Sequence, residues 1–290
     1  MTVETAQEWI KQGAYFESRR DGRVFYRDRG TGSPVVMLHG FPTWSYEWAP
    51  LARSLEADHR VILLDFPGYG ASDKHSVKSH TVAHSADIVE QLLGHLAVPL
   101  CYLVVHDYGS IVGQELLDRR WRNELGFAVA SLTMLNASIF AGAYRPTNIQ
   151  RALLTPGLGT IVARLISPAV MRRGLNRVRG KPLGEDEFRN LSYGMRLQGG
   201  AIRAHHLLSY VTERRAHGPR WEQATERYDG PVQLIWGDQD PVSGRAAREL
   251  AQARLPRAQV EIFPEAGHFP HAEEPERAAG VIRRFLEQHA

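Results

Sequence analysis

A run of β-branched and apolar residues, Cys101 to Val105, meets a short polar break, His106-Asp107-Tyr108-Gly109, and passes into an amphipathic stretch, Gln114 to Arg120. This is the pattern of a strand, a sharp turn and a helix. When a strand feeds a helix through so short a turn, the residue at the tip is held in a strained conformation and only small neighbours let the two elements close. The tip residue here is Asp107. Gly109 supplies one small neighbour, whereas the position two before the tip is Val105.

The surrounding sequence supplies the sheet into which such a strand fits. Tyr15 to Ser18 and Arg23 to Arg27, separated by Asp21-Gly22, read as an antiparallel hairpin. Val35 to Leu38 is a fully apolar run ending at His39-Gly40-Phe41-Pro42, as expected of a parallel strand buried on both faces. After a helical stretch from Trp48 to Leu55, the strand Arg60 to Leu64 runs into the loop Asp65 through Asp73. Ala83 to Leu96 carries apolar residues at helical spacing, and Leu132 to Leu135 is the next strand, closed by Asn136. From about Ala137 to Arg227 the chain is helical in character, rich in Arg and Leu and broken by five prolines. Strands resume at Val232 to Trp236 and Val260 to Phe263, and the helix Glu274 to His289 closes the chain.

Alternating strands and helices predict an α/β fold with a mostly parallel sheet covered on both sides. The domain assignment is a core of residues 1–136 and 228–290 with a helical lid, 137–227, over the sheet's C-terminal edge. The apolar residues Leu153, Leu154, Leu158, Ile161, Leu165 and Ile166 are read as either lining a pocket or docking that lid on the sheet.

With 290 residues and 43% hydrophobic content, the chain can bury one large core. Its net charge is only +3, basic and acidic residues are interspersed, and no long basic run exists to track phosphates. The pairs Arg19-Arg20, Arg172-Arg173 and Arg214-Arg215 are taken as solvated surface, so nucleic acid is not expected as a partner. One cysteine, Cys101, excludes an internal disulfide framework and fits a reducing compartment. No stretch is apolar enough for a membrane span and no leader-like segment opens the chain, so a cytoplasmic protein is expected. The spacing His268-x-x-His271 lacks the carboxylates that would complete a metal site.

In open α/β sheets, sites form beyond the carboxyl ends of the strands. Four segments qualify: His39 to Pro42, Asp107, Gly237-Asp238-Gln239-Asp240-Pro241, and Gly267-His268. The last three supply nucleophile, acid and histidine in chain order, with Asp238 and Asp240 both open as the acid. His39 and His106 are read as structural. A carboxylate can attack a saturated carbon without first losing a proton, and it forms an ester that water can later cleave. A serine at the tip would give an inert ether.

These segments resemble the α/β-hydrolase superfamily, and within it the aspartate-nucleophile branch of epoxide hydrolases and haloalkane dehalogenases. The fold so implied is a mostly parallel eight-stranded sheet with helices on both faces and an inserted helical cap. The stretches Trp9 to Tyr26 and His39 to Trp48, with the His-Asp-Tyr-Gly elbow, are also similar to the mesoderm-specific transcript proteins. The resemblance implies Asp107 as nucleophile, Asp240 as the acid orienting His268, and the N–H groups of Phe41 and Tyr108 as an oxyanion hole. It further implies lid tyrosines, Tyr210 and then Tyr144, as donors to the leaving oxygen. No cofactor is implied, and the expected partners are a small apolar organic substrate and water. Epoxide hydrolysis is the first expectation. Haloalkane dehalogenation is the alternative, although Tyr108 and Phe41 stand where many dehalogenases carry Trp and Asn. A hydrolase scaffold kept only for binding is the third. Trp221 is the single lid tryptophan, and Trp44 could line the mouth.

Overall fold

The computed structural model describes residues 4–74 and 80–289, so the remaining terminal residues and 75–79 of the core assigned above lie outside the description. Eight strands form one sheet: β1 (Ala14–Ser18), β2 (Gly22–Arg29), β3 (Pro34–Leu38), β4 (Arg60–Leu64), β5 (Leu100–His106), β6 (Ala128–Leu135), β7 (Val232–Gly237) and β8 (Gln259–Phe263). Their order is β1-β2-β4-β3-β5-β6-β7-β8. The β1–β2 and β2–β4 pairs are antiparallel, and every pair from β3 to β8 is parallel. The order turns back on itself around β3 and β5, whose carboxyl ends meet with Leu38 beside Val105, the residue before His106, as expected of a site in such a sheet.

Alternation along the strands builds two cores. Val36, Leu38, Leu103 and Val105 face one side, with α3 (Val82–His95) and α4 (Tyr108–Trp121); Val35, Met37, Tyr102 and Val104 face the other. That second side is covered by α1 (Ala6–Lys11), α2 (Ala49–Leu55) and, at the end of the chain, the long helix Pro275–Gln288. Because both faces are buried, the strands carry unbroken apolar runs rather than an apolar-polar alternation.

Between β6 and β7 the described chain contains only helices: α5 (Asn148–Leu154), α6 (Leu158–Leu165), α7 (Pro168–Arg177), α8 (Glu185–Arg196), α9 (Ala204–Leu207) and α10 (Tyr210–Arg227), with short 3₁₀ turns. Ser and Thr at N-cap positions, such as Thr147 before α5 and Ser167 before α7, accept from the third residue of their helices and fix these starts. The rest is α11 (Arg245–Arg254), α12 (Pro270–Glu273) and α13 (Pro275–Gln288).

Some details depart from the sequence reading. The segment before α2 is a 3₁₀ turn, Ser45–Trp48, and the α-helix starts at Ala49 with Pro50 in its first turn. Strand β6 begins four residues earlier than expected, at Ala128. Arg214 is not solvated surface: it is buried, donates to the Ser138 carbonyl and lies over the Tyr144 ring.

Candidate active site

Asp107 sits at the end of β5 with φ 43° and ψ −110°, a conformation that costs an L-residue on the order of 1–3 kcal/mol. The turn closes because Gly109 has no side chain; a Cβ there would stand 2.2 Å from the Leu38 carbonyl oxygen. Val105 is accommodated where a second glycine was missing because the helix supplies one instead. A Cβ on Gly113 would lie 3.2 Å from Val105 Cγ1.

Asp107 Oδ1 accepts from the Phe41 N–H at 2.8 Å, and Oδ2 lies 3.5 Å from His268 Nε2. The Tyr108 N–H belongs to the first turn of α4, where no intrahelical acceptor exists. His268 Nδ1 bonds Asp240 Oδ2 at 2.7 Å. Asp240 also accepts from Asn136 Nδ2, the Ser243 hydroxyl and the Val242 N–H. Asp238 is engaged elsewhere, in a pair with Arg248, so of the two carboxylates only Asp240 meets His268.

Electrostatics follow from this arrangement. Burial opposes ionisation of Asp240, yet the charge and hydrogen bond of His268, with the Ser243 hydroxyl and the Val242 N–H, pull its carboxyl down to about 2. Burial likewise raises Asp107, but the His268 bond and charge, His106 and the Phe41 N–H leave it below the ordinary carboxylate value. Caught between two carboxylates, His268 is raised well above an ordinary histidine despite its burial.

Beneath these groups lies a polar knot that the sequence reading did not find. Glu47 accepts from the Gly40 N–H, the Thr43 hydroxyl and His106 Nδ1, while His106 Nε2 faces the His268 carbonyl oxygen at 2.9 Å. Both ring nitrogens of His106 therefore face oxygens. One buried pair, Glu47 with His106, thereby holds together the loop of Phe41, the residue before Asp107 and the backbone of His268. His39 spans neighbouring loops, bonding the Gly40 carbonyl and accepting from the Phe66 N–H. His271 is buried against Trp48, with a ring separation of 4.1 Å.

A cavity of about 130 Å³ opens at Asp107 and His268, walled by apolar side chains such as Leu153, Ile166, Met171, Leu175, Met195 and Phe269. Of the insert residues given two readings from sequence, Leu153 and Ile166 face this cavity, whereas Leu158, Ile161 and Leu165 point outward into solvent. Tyr144 and Tyr210 do not line it; Tyr144 borders a separate cleft with Arg214 and Arg215. Both hydroxyls are nonetheless buried without a hydrogen-bond partner, and both rings feel the Asp107 charge. Tyr69 shares these properties and does line the cavity; only its place between Gly68 and Gly70 in a loop hinted at it.

The tryptophans take no part in the cavity wall. The indole N–H groups of Trp9, Trp44, Trp221 and Trp236 are spent on Ser45, the Leu191 carbonyl, Glu115 and the Ser243 carbonyl. Trp44 is fully buried and not at the mouth. The Tyr108 hydroxyl is paired with Ser85 at 2.6 Å.

Residues 33–275 match the family described as alpha/beta hydrolase fold, and the chain belongs to that family. Among curated relatives it is 38% identical to the human (Homo sapiens) mesoderm-specific transcript homolog protein, over 92% of this chain and 83% of that one. It is 31% identical to a haloalkane dehalogenase of Mycobacterium marinum (strain ATCC BAA-535 / M), over 86% of this chain and 80% of that one. Among solved structures, the epoxide hydrolase CorEH without ligand superposes with a TM-score of 0.80 at 22% identity, covering 95% of this chain and 98% of that one, which speaks to the fold.

Proposed function

We propose that the protein hydrolyses an epoxide to a diol through an alkyl ester on Asp107. The observation that carries this reading is the environment of the Asp107 carboxylate. Three unpaired tyrosine hydroxyls sense its charge, while no indole N–H faces the cavity.

Oδ2 of Asp107 attacks an epoxide carbon as the C–O bond breaks, and the departing oxygen takes a proton from a tyrosine hydroxyl. The resemblance assigns that role to Tyr210 and Tyr144, which do not line the cavity, whereas Tyr69, the third hydroxyl of the set, stands on its wall and is the donor the cavity geometry favours. Oδ1 becomes the ester carbonyl oxygen, already seated on the Phe41 N–H. Water then attacks the ester carbon and gives its proton to His268 Nε2, while Asp240 holds the imidazole by Nδ1. The N–H groups of Phe41 and Tyr108 hold the resulting oxyanion, a type of interaction worth about 10²–10³ in rate per donor. Collapse releases the diol and regenerates the carboxylate, and the proton on His268 returns through solvent to the tyrosinate.

Haloalkane dehalogenation remains the second reading because of the 31% identical relative; it would use the same three residues and needs halide donors. His268→Gln distinguishes the two. Incubated with a styrene-type epoxide, the variant accumulates a stable mass increase that peptide mapping places on Asp107. An alkyl adduct formed only from a bromoalkane would favour dehalogenation, and no adduct from a broad panel would favour a binding scaffold.

A further inference from the structure

Helix α6 exposes an apolar face. Leu158, Ile161 and Leu165 recur at the spacing that shares one side of a helix, and they are 45%, 57% and 73% exposed. On the opposite side Gly159 and Ala163 are buried; a Cβ on Gly159 would meet the Leu153 carbonyl oxygen of α5 at 2.1 Å, so α6 is anchored by its small residues and not by its large ones. Ile202 and Val170 are also exposed, and Val170 at the same time lines the cavity beside Asp107. Ile166, the residue that follows α6, lines the same cavity, so exposed apolar side chains flank the cavity rim on both α6 and α7. A patch of this kind, adjoining a cleft, marks an interaction site.

The charge around the patch selects the partner. Residues 137–227 contain fifteen Arg and Lys against six Asp and Glu, an excess of nine in a chain whose whole net charge is +3, so the remainder is net negative. The interspersed charges read from the sequence are in fact segregated onto the helical insert. The three acids opening α8 are consumed by local pairs, Arg172 with Glu185, Arg189 with Asp186 and Arg179 with Glu187. Among the described residues no carboxylate pairs with the exposed Arg151, Arg164, Arg173, Arg177 or Arg196. Arg164 lies within α6, and Arg173 and Arg177 share by helical spacing the side of α7 that carries the exposed Val170; apolar side chains with basic residues on the same insert are what a lipid interface selects. Arginines near an anionic bilayer each add attraction.

We propose that the insert docks this face on an anionic lipid surface, α6 lying in the interface, so that an apolar substrate passes from the lipid into the cavity at Val170. No membrane crossing is involved; no helix among the described residues is long and apolar enough for one. The proposal does not depend on the chemistry at Asp107, and its test is binding alone. The full chain is floated with phosphatidylcholine vesicles with and without phosphatidylglycerol. Wild type is expected to float with the anionic vesicles and to bind the neutral ones roughly tenfold or more weakly. The double variant Ile161→Asp/Leu165→Asp is expected to bind the anionic vesicles roughly tenfold or more weakly with an unchanged melting temperature, since both side chains are solvated. Arg164→Glu, which keeps the apolar face, is expected to lose at least about fivefold. Wild type left unbound, or the double variant binding as wild type does, overturns the proposal. So does a wild-type dimer in size-exclusion chromatography that the double substitution splits, because the face then meets a second copy. Retention on duplex DNA without vesicle binding overturns it as well.

Discussion

Asp107 and Asp240 flank one imidazole with different tasks, and the difference gives the proposed cycle its order. Before the reaction His268 faces two carboxylates and is raised well above an ordinary histidine. Esterification of Asp107 removes one of the two charges that raise it, so in the proposed cycle the neutral imidazole needed to take the proton of water is favoured when the ester is in place to be cleaved. Asp240 never reacts in this scheme, and its shift is measurable as stability. Its folded value, about 2, lies below the 3.8 of an unperturbed carboxyl, so the fold favours the ionised form. That contribution is complete above about pH 4 and is lost as pH falls toward 2; a shift of this size corresponds to on the order of 2 kcal/mol. Thermal melts of wild type and Asp240→Asn across that window are expected to converge as the pH falls. Curves that stay parallel would show that Asp240 is not held ionised by its neighbours.

At the level of elements, the loops after β3, β5 and β8 are fastened by the Glu47–His106 pair. Glu47 is buried and fully bonded, so removing it leaves His106 Nδ1 and the Gly40 N–H without their partner in the interior. Breaking a buried pair from one side typically costs about 3–5 kcal/mol. Glu47→Ala is expected to lose that much in urea unfolding, and Glu47→Gln, which keeps the side-chain shape and one acceptor oxygen, distinctly less. Equal losses would mean that cavity formation and not the pair sets the cost. Nothing around Glu47 in the sequence announces this, because its partners come from Gly40 and from His106, 59 residues on. The strands were legible for the opposite reason: β3, β4, β5 and β7 are apolar runs ending in polar or glycine-containing loops, a signal wholly local. The Asp107 turn and His268 were legible from chain order and strand ends, whereas the choice of Asp240 over Asp238 came only from the family resemblance. Tyr69 and Asn136 were not, since their importance lies in what they face. Helix α11 also escaped notice, its buried side reduced to Ala247, Arg248 and Ala251 among charged residues.

The cavity belongs to neither layer of the molecule alone. Phe41, Tyr69 and Phe269 come from the loops at the sheet edge, and Leu153, Met171 and Leu175 from the helical insert. At about 130 Å³ it is comparable to the engineered apolar cavities of ~150 Å³ that hold benzene, so a substrate with one ring or a short branched chain fits and a larger one requires the insert to give way. Gly174 offers a clean test of whether this space is where substrate sits. It lies within α7, lines the cavity, and a Cβ added there meets nothing within 4 Å. Gly174→Ala is therefore expected to stabilise the protein by about 0.5–1 kcal/mol, because a helix-interior glycine loses more backbone freedom on folding than alanine. Gly174→Phe projects a ring into the same open space. If the epoxide carbon reaches Asp107 through this cavity, turnover of an aryl epoxide falls by roughly tenfold or more while propylene oxide is affected by less than about twofold, since one added group in an apolar pocket shifts discrimination by about 1–3 kcal/mol. Equal kcat/KM changes for both substrates, with the fold intact by melting temperature, would place the substrate path elsewhere, on the side of Tyr144 and Arg214.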